Sequence, residues 1–170
     1  MSSSVKLYSL DFANVKTYLF AAIFIVGNLL LPQLVHQIPQ GGLIFLPIYF
    51  FTMIAAYKYG IRVGLLTAVL SPLINSLLFG MPPAAVLPII LIKSVFLAVA
   101  AAMAAKHFGK VSIFGILLAV LAYQIVGMGA EWAMTQSFAA AFQDIRIGYP
   151  GILLQVAGGF WCSKHWKRYK

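Results

Sequence analysis

The sequence predicts an all-α integral membrane protein: six transmembrane helices in a single domain spanning 1–170, with both termini on the cytoplasmic side. Three observations predict it. The 170 residues are 62% hydrophobic and only 9% charged, with a mean hydropathy of +0.96, whereas an ordinary soluble domain is about 25% charged. Long apolar runs recur at the length a bilayer demands, about 20 residues per helix. Ten of the twelve Lys and Arg residues fall into four clusters between those runs: Lys6/Lys16, Lys58/Arg62, Lys106/Lys110 and Lys164/Lys167/Arg168/Lys170. Cytoplasmic loops collect Lys and Arg and outer loops do not. A basic cluster at every second connection therefore sets span count and orientation together.

The first run, Tyr18 to about Val35, leaves a basic side and ends in a segment rich in Pro, Gly and Gln without Lys or Arg, which reads as an outer loop. The second, about Leu43 to Tyr57, stops at Lys58 and Arg62. The third, Val63 to Phe79, ends at the uncharged turn Gly80-Met-Pro-Pro83. The fourth, Ala85 to Ala105, stops at Lys106. The fifth runs from about Val111 to Ser137, and the sixth, about Pro150 to Cys162, enters the basic tail. Runs two and six are short for full spans, and short or broken helices beside a cavity are common in transporters. The three outer loops are then 33–42, 80–84 and 138–149.

Several function classes are excluded on this reading. The net charge of +9 sits at the ends of apolar runs, where it anchors to headgroups, so it is not a nucleic-acid footprint. The single Cys162 leaves no internal disulfide and no multi-Cys metal site. No cleavable signal peptide is expected. No G-x-x-x-x-G-K-[ST] loop is present, so the chain brings no nucleotide site of its own. It offers no paired acids, no His cluster and no nucleophile–base pair, so it is not expected to be an enzyme, and neither cofactor nor metal is expected.

Two ionisable residues fall inside predicted spans, Lys93 in the fourth and Glu131 in the fifth. Each costs at least about 2.5–3.5 kcal/mol at a bilayer centre and should face protein or a water-filled cavity. Both lie in the outer half of the membrane at similar depth, so they can meet. Two readings stay open: the pair ties two helices together, or one or both charges touch a polar ligand. Gln124, Gly127, Met128, Glu131 and Thr135 recur at three- and four-residue steps and share one helix face. Leu118, Leu121, Ile125 and Val126 occupy the others. Such a stripe suits a cavity wall or a tight helix contact. Tyr123 and Trp132 flank it, as interface anchors or as site residues. Asn75, in the outer half of the third span after Ser71-Pro72, is a further ligand candidate. Asn28 and Gln155 read as interhelical hydrogen-bonders, with Gln155 also a candidate for the pocket. His36 reads as a solvated loop residue. Ala98/Ala102 and Ala101/Ala105 are small-x-x-x-small pairs that let a helix approach closely, from this chain or from another subunit.

Residues 43–105 carry a resemblance. Leu46-Pro-Ile-Tyr-Phe-Phe-Thr-Met-Ile-Ala-Ala-Tyr-Lys-Tyr-Gly-Ile-Arg-Val-Gly64 is similar to the second helix, basic turn and start of the third helix in the substrate-binding S components of energy-coupling factor (ECF) vitamin transporters. Leu70-Ser-Pro-Leu-Ile-Asn-Ser-Leu-Leu-Phe-Gly-Met-Pro-Pro83 is similar to that family's third helix and outer turn. The architecture resembles the family over nearly the whole chain. The resemblance implies binding and uptake of a vitamin or related small polar nutrient, in the cytoplasmic membrane of a bacterium or archaeon. It places the ligand near the outer side among Asn75, Lys93, Tyr123, Gln124, Gly127, Glu131 and Gln155, with residues 33–42 as a lid. It also implies partners, a coupling transmembrane subunit and cytosolic ATPases. The family docks on that subunit through an Ala-x-x-x-Ala surface on helix one. Here the corresponding residues are Thr17 and Ala21, and the Ala98/Ala102 pair offers a substitute. The start lacks a Met-His pair, which points away from the nickel and cobalt branch. The alternative from another class is a membrane scaffold that assembles partners and binds no small molecule.

Overall fold

The computed structural model describes residues 7–165. Of the basic clusters, Lys6, Lys167, Arg168 and Lys170 lie outside the described residues. Helices account for most of the described chain, and no strand occurs among these residues. In order they are α1 (Val15–Val35), α2 (Gly41–Phe45), a 3-10 turn (Pro47–Tyr49), α3 (Phe50–Tyr59), α4 (Ile61–Phe79), α5 (Leu87–Phe108), α6 (Ile113–Thr135), α7 (Phe138–Ala141), α8 (Gln143–Arg146) and α9 (Tyr149–His165).

Four of these helices, α1, α4, α5 and α6, are long and apolar enough to cross a membrane, at 19 to 23 residues each. Only 33–39% of each apolar window is buried inside the protein. The rest presents large aliphatic side chains outward, such as Leu30 on α1, Leu77 on α4 and Ile125 on α6. An outward surface of this kind needs an apolar solvent. The helix ends follow local chemistry. Asn14 and Ser112 cap the N-termini of α1 and α6 with side-chain oxygens. Gly80 and Gly109 close α4 and α5 with left-handed φ values of 66° and 61°.

The run predicted as one helix from Leu43 to Tyr57 is broken in two. Leu46 has a φ of 47° and precedes Pro47, and a residue before proline is pushed out of the helical region. The chain therefore leaves α2, makes the 3-10 turn and re-enters helix at Phe50. The sixth run extends three residues past its expected end, to His165, and the predicted outer loop 138–149 contains two short helices rather than plain loop.

α5 sits centrally, packed against α6, α4 and α3. Its small face is used there: Ala98 and Ala101 are fully buried and Ala105 nearly so, while Ala102 is half-buried. The Ala98/Ala102 surface proposed for a separate subunit is thus largely occupied by the chain's own helices. Thr17 and Ala21 on α1 are likewise buried. Thr17 Oγ1 donates to the Asp11 carbonyl, so this face is turned inward rather than presented to a partner.

One end of the bundle gathers the basic residues. Tyr57 Oη, on α3, donates to the Lys110 carbonyl at 3.1 Å and accepts from Ser112 N. Arg62 pairs with Asp11 at 3.3 Å. Lys58 was expected to face headgroups. It is instead buried, and its Nζ donates to the Ser163 carbonyl of α9 at 3.1 Å. Lys16, Lys106 and Lys110 are exposed at this end. Three connections lie at the opposite end: α1 to α2, α4 to α5, and the α7–α8 segment.

Candidate functional site

Two polar regions form at the end opposite the basic residues, and the seven residues predicted to share one pocket divide between them.

The first region is charged. Lys93 lies on the first half of α5, 3% exposed. Its Nζ contacts Glu131 Oε2 on α6 directly and Asp144 Oδ2 on α8 at 2.9 Å. The meeting of Lys93 with Glu131 follows from their similar depth, as expected. Asp144 was missed, because it falls in the predicted outer loop 138–149, whose fold-back over the bundle has no periodicity in sequence. A signal was nevertheless present. The chain has only three acidic residues; two converge on Lys93 and the third, Asp11, pairs with Arg62. Gly127 makes room for the lysine stem, since a Cβ there would lie 2.6 Å from Lys93 Cγ and 2.8 Å from Cε.

One turn deeper on α6, Gln124 Nε2 donates to Tyr123 Oη at 3.1 Å, and Tyr123 donates to Gln155 Oε1 on α9 at 3.0 Å. Tyr123 and Gln155 are fully buried, so Tyr123 is not an interface anchor. Trp132 is exposed, as an anchor would be. The Tyr49 ring of the 3-10 turn packs on Tyr123 at 5.2 Å. Gln155 Nε2 and Ser94 Oγ are buried with no hydrogen-bond partner among the described residues. The polar stripe of α6 faces inward from Gln124 to Glu131, whereas Thr135 is exposed. Leu118, Leu121, Ile125 and Val126 point outward.

The second region is neutral. Asn28 joins three helices, donating to Thr52 Oγ1 at 3.0 Å and Ser71 Oγ at 3.2 Å and accepting from Phe51 N. Nearer the bundle end, Gln33 Nε2 donates to Asn75 Oδ1 at 3.4 Å. Asn75 lines a cavity of about 500 Å³ beneath residues 36–43. Its other walls come from the ends of α1 and α5, the 3-10 turn and the α4–α5 connection. His36 also lines it, its ring held by a 2.9 Å contact from Nδ1 to the Pro32 carbonyl. Of the seven predicted residues, only Asn75 borders this cavity.

The two regions touch along two elements. On α5, Ile90 borders the cavity and Lys93 lies one turn on. In the 3-10 turn, Ile48 borders the cavity and Tyr49 packs on Tyr123. The start of α9 abuts the same segment: a Cβ at Gly148 would lie 2.9 Å from Leu46 Cδ1 and 3.0 Å from the Leu43 carbonyl.

Among the described residues no group of three or more His, Cys, Asp or Glu converges as metal ligands would. Cys162 lies on α9 near the basic end, beyond Gln155. Fold and site together define an all-helical, membrane-embedded protein with a cavity at one end and a buried ion cluster beside it. No family model, curated protein or solved structure matches the chain.

Proposed function

We propose that the chain is the substrate-binding membrane subunit of an ECF-type importer and captures a small vitamin-like nutrient from outside the cell. The observation that carries this reading is the cavity of about 500 Å³ at the end opposite the basic residues, within the size range of small-molecule sites. Six crossings follow if the broken α2–α3 segment and α9 each span together with the four long helices. The basic end then faces the cytoplasm by the distribution of Lys and Arg. The cavity end faces outward, in a bacterial or archaeal cytoplasmic membrane, and residues 36–43 form its roof. The chain brings no nucleotide loop, so uptake requires a coupling transmembrane subunit and cytosolic ATPases. The chain itself is a binder and not an enzyme. Docking uses a face other than Thr17/Ala21 and Ala98, which packing inside the chain occupies.

Lys93, Glu131 and Asp144 act in this reading as a clasp that holds the 138–149 segment over the bundle. The cluster also favours a second reading, a scaffold that binds no small molecule, because two carboxylates answer Lys93 without any ligand. Denaturing mass spectrometry of detergent-purified protein separates the two. A stoichiometric small molecule carried through purification supports the binding subunit. An empty protein that shows no thermal shift across a vitamin panel supports the scaffold.

A further inference from the structure

The lining of the cavity restricts what it can hold. Among the described residues, no Asp, Glu, Lys or Arg borders it. A charged ligand there would find no Lys, Arg, Asp or Glu partner, and whatever hydration it gives up against the apolar walls is costly. Five of the chain's eight prolines, Pro32, Pro39, Pro47, Pro82 and Pro83, line the space. Proline has a fixed φ and no backbone N–H. These walls are therefore stiff, apolar and poor in donors, and a stiff site loses little freedom on binding. Ile38, Ile48 and Ile90 add further apolar surface.

The polar side chains on this lining are Asn75, His36 and Gln40. Asn75 uses Oδ1 to accept from Gln33, and its Nδ2 makes no hydrogen bond with the described residues, so it is left to donate. His36 is oriented by its Nδ1 contact to the Pro32 carbonyl. A carbonyl only accepts, so Nδ1 carries the proton, and in the neutral ring Nε2 is left as an acceptor. Gly42 lets the ring lie there, since a Cβ at that position would fall 2.7 Å from His36 Cε1. Asn75 and His36 thus offer one side-chain donor and one acceptor, beside the exposed Gln40 amide, on a rigid apolar lining.

We propose that this cavity binds an uncharged, compact heterocycle carrying at least one acceptor, which takes the Asn75 N–H, and one N–H or O–H donor, which gives to His36. Carboxylates, phosphates and ammonium compounds are excluded as the group held there. The proposal rests on the binding-subunit reading and names the ligand class for it.

The test uses the full-length protein in nanodiscs, with mass spectrometry of the co-purifying compound and equilibrium binding of matched pairs: nicotinamide against nicotinate, and biotin methyl ester against biotin. The expected result is a co-purifying compound that is neutral at pH 7, or preference for the neutral member of a pair. Binding of that compound weakens about tenfold in Asn75→Asp and in His36→Phe. Val86→Trp fills the cavity from its partly exposed lip, 41% exposed, and abolishes binding while the protein stays folded. A charged co-purifying ligand whose affinity is unchanged in Asn75→Asp and Val86→Trp overturns the ligand class and leaves the binding subunit standing. A folded protein that carries nothing and binds no probe overturns both.

Discussion

The Lys93 cluster and the Asn75 cavity stand one helical turn apart on α5, yet they deal with membrane burial in opposite ways. At Lys93 the charge is answered inside the chain by Glu131 and Asp144. At Asn75 the groups are neutral, hydrogen bonding is only partly used, and open space lies alongside. An ionisable residue in a membrane span is a functional candidate by default. A charge already matched by its own chain has less need of a ligand than an amide with a spare donor beside a cavity. The cost of an unpaired charge in an apolar medium drives pairing first. On the binding-subunit proposal, ligand contacts are then left to groups that are tolerable without a partner when no ligand is bound.

Substitutions can break this contrast, and the largest effect is expected at Lys93. Lys93→Met leaves two carboxylates facing each other without a cation. It should cost about 3–5 kcal/mol, read as a fall in the unfolding midpoint in detergent. Lys93→Met with Glu131→Gln and Asp144→Asn removes all three charges and should recover most of that loss. A triple variant as unstable as the single one would show that the cluster does more than balance charge.

Gly127→Val drives a side chain into the Lys93 stem, and should cost about 1–3 kcal/mol in thermal unfolding. The same change in a Lys93→Ala background should cost much less, because the two residues share one space.

Asn28→Ala tests the neutral region. It strips Thr52, Ser71 and the Phe51 amide of a partner, and about 1–2 kcal/mol should be lost, read by the same unfolding assay. The smallest effect is expected for Asp144→Asn. Glu131 still balances Lys93, so stability should change by no more than about 1 kcal/mol. Limited proteolysis should instead cut the 138–149 segment faster, since its ionic tie is gone.

Much of the fold was legible because apolar run length and basic punctuation are direct consequences of the bilayer. The bounds of α1, α4, α5 and α6 follow from those signals within a few residues. The break at Leu46 was less legible, because a short apolar run reads alike as helix or as two pieces. The Leu46-Pro47 step was the available cue. Lys93 and Glu131 came together because depth alone predicts it. Asp144 escaped notice, and His36 read only as a solvated loop residue, because both sit on predicted connections, where position depends on how the segment folds back and not on periodicity. Tyr49 escaped for a related reason: its contact with Tyr123 exists only because the chain breaks before it. The seven residues placed in one pocket divide because partners within the chain take up Lys93, Glu131, Tyr123, Gln124 and Gln155 away from the cavity that Asn75 lines. Tyr123, Gln124 and Gln155 satisfy one another across α6 and α9, which is the interhelical role expected of Gln155.

The division of labour between the two regions is tested most directly by equilibrium binding of any compound found to co-purify with the wild-type protein, compared in two variants that both remain folded. In the charge-free triple variant at Lys93, Glu131 and Asp144, affinity should stay within about threefold of wild type. In Val86→Trp, with the cavity filled, it should be lost. The reverse pattern, binding abolished by removing the charges and untouched by filling the cavity, would contradict the account and return Lys93 to the ligand.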